Sequence, residues 1–211
     1  PQSDVKLSAR MIQKEIGVPG SVTFPDPDDR QKDQNTLLDL SYQGKITSRL
    51  TLNFKGFHNQ YRRTFDPGTQ GFSTGSPFLH KNYATGGELQ TTYARGDAHL
   101  ITGGAEFIQD RVNSSAIGVH EATRGAVYLQ DEIEIARPLT ATIGLRYDSH
   151  SIYKDQINPR AGVVLRLPGD TRLRASAARS FRAPTFDDLF WPEDAYTAGN
   201  PNLQPERDWS Y

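Results

Sequence analysis

The 211-residue chain has no cysteine, so disulfide staples and thiolate metal sites are excluded and redox chemistry gives no sign of the compartment. No stretch approaches the roughly eighteen consecutive apolar residues of a membrane-spanning helix. Only 36% of the residues are hydrophobic and the mean hydropathy is −0.63, which is lean for a soluble core. An excess of charge of one sign is missing too. The 24 basic and 25 acidic residues leave a net charge of −1, and no like-charged block supplies the field that nucleic-acid binding needs. A helical period of apolar residues occurs nowhere. The opening PQSDVKLSAR lacks the basic-then-apolar pattern of a secretory leader, and both it and the final ERDWSY read as strand interrupted, so a piece of a longer chain is expected.

A period of two is present almost throughout. It predicts strands at 4–12, 35–43, 48–63, 82–95, 97–112, 122–136, 139–153, 157–167 and 171–181, with another starting near Arg207. Several exceed ten residues, where globular strands cluster at about five or six. The connections alternate. QGKITS, RGDA, RPLT and LPGDT are tight turns, whereas 13–34, 64–81, 113–121 and 182–206 are long, and 154–156 is the short member of that second set. An all-β, antiparallel up-and-down meander with short turns at one end and long loops at the other is the layout of a transmembrane β-barrel.

The strand faces sharpen this expectation. Leu139, Ala141, Ile143, Leu145 and Tyr147 share one face, and Thr140, Thr142, Gly144 and Arg146 the other. Ala161, Val163, Leu165 and Leu167 stand opposite Gly162, Val164 and Arg166 in the same way. Tyr83 and Tyr93 lie on one face of their strand, about 23 Å apart along the normal of a strand tilted near 45°, the height of a lipid-facing band between aromatic girdles. Arg146, Arg166, Arg172 and Arg174 need water or partners, which a wide lumen supplies and a dry core does not. Two features interrupt the pattern. Asp131 falls on the face of Leu129 and Ile133, and near Gly56 the apolar residues change face, as at a bulge or where a strand leaves the lipid band. The alternative is a soluble β-sandwich such as a carbohydrate-binding module.

Residues 182–206 are too long for an ordinary connection and too aromatic for simple disorder. Pro184, Pro192, Pro201 and Pro205 keep the loop out of the sheet, and Arg182 is expected to pair with Asp187, Asp188 or Glu206 and fold it back on the wall. Phe186, Phe190, Trp191 and Tyr196 are candidate substrate-facing aromatics. GFSTG at 71–75 fits a nucleophile-elbow pattern around Ser73, but that chemistry needs a helix after the serine, and a strand follows, so no enzymatic activity is expected. His58, His80, His99, His120 and His150 show no metal-ligand spacing and are expected at the surface. Asp26, Asp28, Asp29 and Asp33 offer oxygens to Ca²⁺, yet lack an EF-hand's spacing and terminal glutamate. A solvated acidic loop without metal is the expectation there.

Two signatures inside that long loop carry a family resemblance. LRASAARSFRAPTFDDLFW contains Phe181, Arg182, Ala183, Pro184, Thr185, Asp188 and Leu189 in an F-R-A-P-T-x-x-[DE]-L-[FY] pattern. GNPNLQPERDWSY follows, with Gly199, Asn200, Pro201, Leu203, Pro205 and Glu206 in a G-N-P-x-L-x-P-E pattern. Order and spacing resemble those of TonB-dependent outer-membrane receptors, as do the hairpins INPRAGVVLRLPGDTRLRAS and YLQDEIEIARPLTATIGLRYD. GVPGSVTFPDPDDRQKD is similar to a loop of the cobalamin-receptor-like branch. The resemblance implies part of a large plugged barrel of about twenty-two strands, with residues 1–211 supplying middle strands and with the plug domain, the energy-coupling box and the closing strands lying elsewhere. It further implies an active transporter in the bacterial outer membrane, without a cofactor. Its partners would be membrane lipid, cobalamin or a ferric siderophore, and the energy-transducing protein TonB, with no nucleic acid.

Overall fold

The structure, a computed structural model, describes residues 3–20, 22–23, 25–68, 77–169, 171–193 and 197–211. Alternating side chains commit almost all of it to strand: β1 (Ser3–Gly17), β2 (Arg30–Lys45), β3 (Leu50–Asp66), β4 (Phe78–Arg95), β5 (His99–Ser114), β6 (Gly118–Ala136), β7 (Leu139–His150), β8 (Gln156–Arg166), β9 (Arg172–Arg182) and β10 (Glu206–Ser210). One short helix, α1 (Phe186–Phe190), interrupts them. The strands form a single antiparallel sheet in sequence order, each paired with the next, and β1 and β10 are its edges. No second sheet covers it among the described residues, so the sandwich alternative is not what the chain forms. Among the described residues no helix is long and apolar enough to cross a membrane. The strands are: β1 to β9 each run 11 residues or more, and a tilted crossing strand needs about 9–11.

Register turns the alternation of each strand into two continuous surfaces. Tyr42, Phe54, Leu89, Ala105, Val127, Tyr147 and Ile157 are successive cross-strand partners from β2 to β8, a row of apolar side chains on one face. Leu89, Val127 and Leu145 on this face are 47–55% exposed, which in water would be an unusually large apolar patch. One row away, on the opposite face, Asn53, Gln90, Gly104, Tyr128, Arg146 and Asn158 line up in the same manner. The predicted face assignments of Leu139–Tyr147 and Ala161–Leu165 therefore hold across the whole sheet rather than strand by strand. Pairing runs through Gly56 opposite Gly87 without a bulge, and the register shift lies instead between Glu134 and Ala136 on β6.

The strands extend beyond their expected ends. Gln13–Gly17 pairs with Arg30–Gln34, and the β4–β5 pairing runs on through Lys81 with Asn113 to His80 with Ser114, so stretches expected to be loops are ladder. The expected long loop at 113–121 is a turn of residues 115–117 between the paired Ser114 and Gly118, and Ser115 N–H donates to the Leu79 carbonyl of β4 at 2.8 Å, extending the β4–β5 ladder. The physical reason is that too few apolar residues at these ends mark an alternation. Backbone pairing continues there all the same. The connections on this side are 18–29, 67–77, 115–117, 151–155 and 183–205, against 46–49, 96–98, 137–138 and 167–171 on the other.

The buried side chains gather at one end. Ile108, Val112, Ala122 and Ala126 of β5 and β6 are at most 6% exposed, and Ile117, Tyr153 and Leu189 from the loops join them. The only compact core among the described residues thus sits on the polar face, at the long-loop end, beneath α1.

Candidate functional site

The chain leaves β9 at Arg182 and turns inward through Ala183 and Pro184. Thr185 is the N-cap of α1. Its Oγ1 accepts the Asp188 N–H at 3.1 Å while Asp188 Oδ2 accepts the Thr185 N–H at 2.9 Å, a complete capping box. Asp187 and Asp188 stand in the first turn, where the helix dipole favours negative charge. Hydrogen bonds from the Thr185 backbone and then its side chain hold the Asp188 carboxyl below its ordinary range, outweighing the opposing effect of burial.

The second signature closes on the first. Gly199 N–H donates to the Trp191 carbonyl at 2.9 Å, and Asn200 N–H to the Asp188 carbonyl at 2.9 Å, so the GNPN segment satisfies carbonyls that the end of α1 leaves open. The approach is so close that a β-carbon on Gly199 would lie 2.4 Å from Trp191 N and 2.8 Å from Phe190 N. Asn200 then accepts the Asn202 N–H through Oδ1 at 3.0 Å, making the turn at Pro201. Leu203 N–H donates to the Asn200 carbonyl at 3.1 Å, and buried Pro205 leads into Glu206 and β10. The two separated motifs are one folded unit.

Leu189, 2% exposed, pins that unit to the wall. Phe190 lies flat on His120 of β6, ring centroids 3.7 Å apart and planes 1° apart, with Phe186 at 6.4 Å from both rings. Beside it Tyr153 stacks on His150 at 3.8 Å and meets the edge of Phe181 at 6.4 Å. Trp191 is 38% exposed. Tyr196 and Ser73 with its GFSTG motif lie outside the described residues. Arg182 pairs with Glu206 at 3.5 Å, and both are largely exposed; neither Asp187 nor Asp188 forms an ion pair with it among the described residues, because the capping box already occupies Asp188. The pair at the surface contributes little, on the order of 0–1 kcal/mol.

Between α1 and the wall lies a cavity of about 480 Å³. Asn59, Asn82, Asp110, Arg124, His150 and Tyr153 line its floor and Pro184, Phe186 and Asp187 its roof. Arg124 Nε donates to Asp110 Oδ2 at 3.0 Å. Further along the polar face, Arg146 donates to Asp148 at 2.8 Å and to Glu106 at 3.0 Å, with its guanidinium over the Tyr128 ring. Tyr128 donates to Glu88 at 2.5 Å and Gln90 to Tyr128 at 2.9 Å. These arginines find the wet or paired surroundings that their charge requires.

Two expectations are corrected here. The histidines are not simply surface groups: all five are half-buried, and besides the two stacks His58 bonds Thr85 at 2.7 Å, His99 bonds Asp131 at 2.7 Å, and His80 lies 6.2 Å from the Phe78 ring. Nor is the acidic loop solvated. Asp26 and Asp29 are 2% exposed, and with Asp28 they bring carboxylate oxygens within 4.8 Å of one another, a set that could hold a hard cation. Asp33 stands apart, accepting from Tyr61 at 2.8 Å and Arg63 at 3.1 Å. Sequence reasoning missed the packing of His120 and Tyr153 because Phe190 and Phe181 come from segments remote in sequence, and that of His150 on Tyr153 because the strand expected through 153 ends at His150.

One sheet with an apolar outer face, a polar inner face, and a long loop folded over the inner face at one end defines a wall of a large membrane β-barrel. Comparison with known proteins fixes the family. Residues 6–211 match the family model described as TonB dependent receptor-like, beta-barrel, and the chain belongs to that family. It is 30% identical over 133 residues to the vitamin B12 transporter BtuB of Photobacterium profundum, covering 62% of this chain and 21% of that protein. To the ferric enterobactin receptor of Pseudomonas aeruginosa it is 22% identical over 175 residues, 74% of this chain and 23% of that protein. The chain therefore spans about a fifth of the length of these curated relatives. In fold it is similar to a double mutant of the Serratia marcescens hemophore receptor HasR, solved in complex with its hemophore HasA and heme. The TM-score is 0.73 at 15% identity, over 97% of this chain and 38% of that one.

Proposed function

We propose that this chain forms part of the barrel wall of an outer-membrane active transporter that imports a scarce, bulky nutrient, cobalamin or a ferric siderophore, with energy delivered through TonB. The observation that carries the reading is the motif loop. A segment of more than twenty residues is turned onto the polar face of a sheet whose other face is apolar, at the end where the long connections gather. Ligand entering from that side meets the aromatic and amide lining beneath α1 before anything else on the wall. The similarity to a vitamin B12 transporter and to a ferric enterobactin receptor supports these two nutrient classes. No bond is made or broken in such transport; the wall excludes lipid, presents polar groups to the cargo, and holds its loops in place.

The test is direct binding of radiolabelled cobalamin and ferric enterobactin to the full-length receptor in detergent. Saturable binding of one of them, competed by excess unlabelled ligand, supports the reading; binding of neither overturns this nutrient assignment.

A further inference from the structure

Alternation places the charged side chain of Asp131 on the apolar face. Asp131 lies between Leu129 and Ile133 on β6, and its cross-strand partners are Ile101 and Ile143. An ionisable residue facing hydrocarbon is costly and persists only with a partner or a role. Its partner is His99, whose Nδ1 is 2.7 Å from Asp131 Oδ2. Asp131 Oδ1 is enclosed and has no hydrogen-bond partner, so the carboxylate is compensated on one oxygen only.

Position explains what could complete it. His99 is the first residue of β5, directly after the 96–98 turn, and its cross-strand partner Arg95 is the last of β4. Both lie at the short-turn end, at the level of the interface rather than the bilayer centre. Arg95 is exposed and makes no ion pair among the described residues. As a carboxylate, Asp131 only accepts, so His99 Nδ1 donates to it and Nε2 of the neutral ring is left as an acceptor. A cation and an acceptor backed by an anion thus stand side by side at the membrane interface. From Asp131 a groove of about 630 Å³ runs up the outer face along Val127, Leu129, Ile143, Leu145 and Tyr147.

We propose that Arg95, His99 and Asp131 form a headgroup site for an aminophospholipid of the leaflet on the short-turn side. Its phosphate meets Arg95, its ammonium donates to His99 Nε2 within the field of Asp131, and one acyl chain lies in the groove. The zwitterion of the site mirrors that of the ligand, and a quaternary choline headgroup, which has no N–H to donate, fits it less well. The inference rests on the barrel reading above.

The experiment reconstitutes the full-length receptor in phosphatidylcholine vesicles containing a trace of spin-labelled phosphatidylethanolamine or spin-labelled phosphatidylcholine, and compares their relative association by electron paramagnetic resonance. The ethanolamine lipid is expected to be favoured about fivefold, the ratio for roughly one interfacial charge contact. Asp131→Asn should bring the ratio close to one and Arg95→Gln should lower the association of both lipids together, while Glu132→Gln, the same charge change as Asp131→Asn but on the inner face, should leave the ratio intact. Equal association in the parent receptor, or an unchanged ratio in Asp131→Asn, overturns the site. Heat-modifiable gel migration of the same samples separates the two readings: a folded barrel without lipid preference sinks the headgroup site alone, whereas a protein that is not a folded barrel sinks both.

Discussion

Gly199 has no room for a β-carbon, because its own backbone is hydrogen-bonded to the end of α1 and the amides of Trp191 and Phe190 fill the space where one would stand. Gly199→Ala should therefore lift the second signature off the first and expose residues 183–205 to limited proteolysis at unchanged barrel stability; protection equal to the parent would contradict the docking. Asp188 makes the same unit pH-sensitive. Its carboxyl is held below the ordinary aspartate range, so its contribution is fully present above the unfolded value and is lost as pH falls through the lowered folded value. Hydrogen exchange of α1 should accelerate on acidification through that window, and Asp188→Asn should abolish the dependence. The capping box and α1 were not legible in the sequence, whereas the two motif signatures were, with prolines that keep the loop out of the sheet. That they serve each other was not, since the closing contacts are backbone groups, which carry no residue signature.

At the scale of the element, α1 is only five residues long and has no stability of its own. Its hold on the wall comes from Leu189, 2% exposed, and from the Phe190 stack on His120. Leu189→Ala should cost the docked loop about 2–5 kcal/mol, in the range for truncating a buried leucine, read as a rise in opening rate by hydrogen exchange. His120→Ala should cost less, since an aromatic pair adds on the order of 0.5–1.5 kcal/mol. If both variants left loop exchange unchanged, the packing would not be what positions it. The strands were readable wherever one face is apolar: β7 and β8 were placed to within a few residues. They were misread where too few apolar residues mark an alternation, as at Gln13–Gly17, Arg30–Gln34 and Gly118–Glu121, because alternation records contact with an apolar phase and not hydrogen bonding. Tyr153 shows the converse. It was counted with β7, and instead leaves the ladder to stack on His150 in the loop.

At the scale of the whole molecule, everything depends on the two faces of one sheet meeting different solvents. Leu89, Leu129, Ile143 and Leu145 are exposed on one side, while Arg146, Tyr128, Glu88 and Glu106 are knitted together on the other. A charged network on the inside and an uncovered apolar surface on the outside invert the arrangement of a water-soluble domain, and a membrane resolves that inversion. This chain has no cysteine, so a single introduced one is the sole labelling site within it. Single variants Thr142→Cys through Tyr147→Cys along β7, each spin-labelled in the full-length receptor in bilayers, report collision with oxygen or with a water-soluble nickel complex. Oxygen accessibility should peak at positions 143, 145 and 147 and nickel accessibility at 142, 144 and 146. A flat profile, or nickel maxima at 143 and 145, would contradict the account.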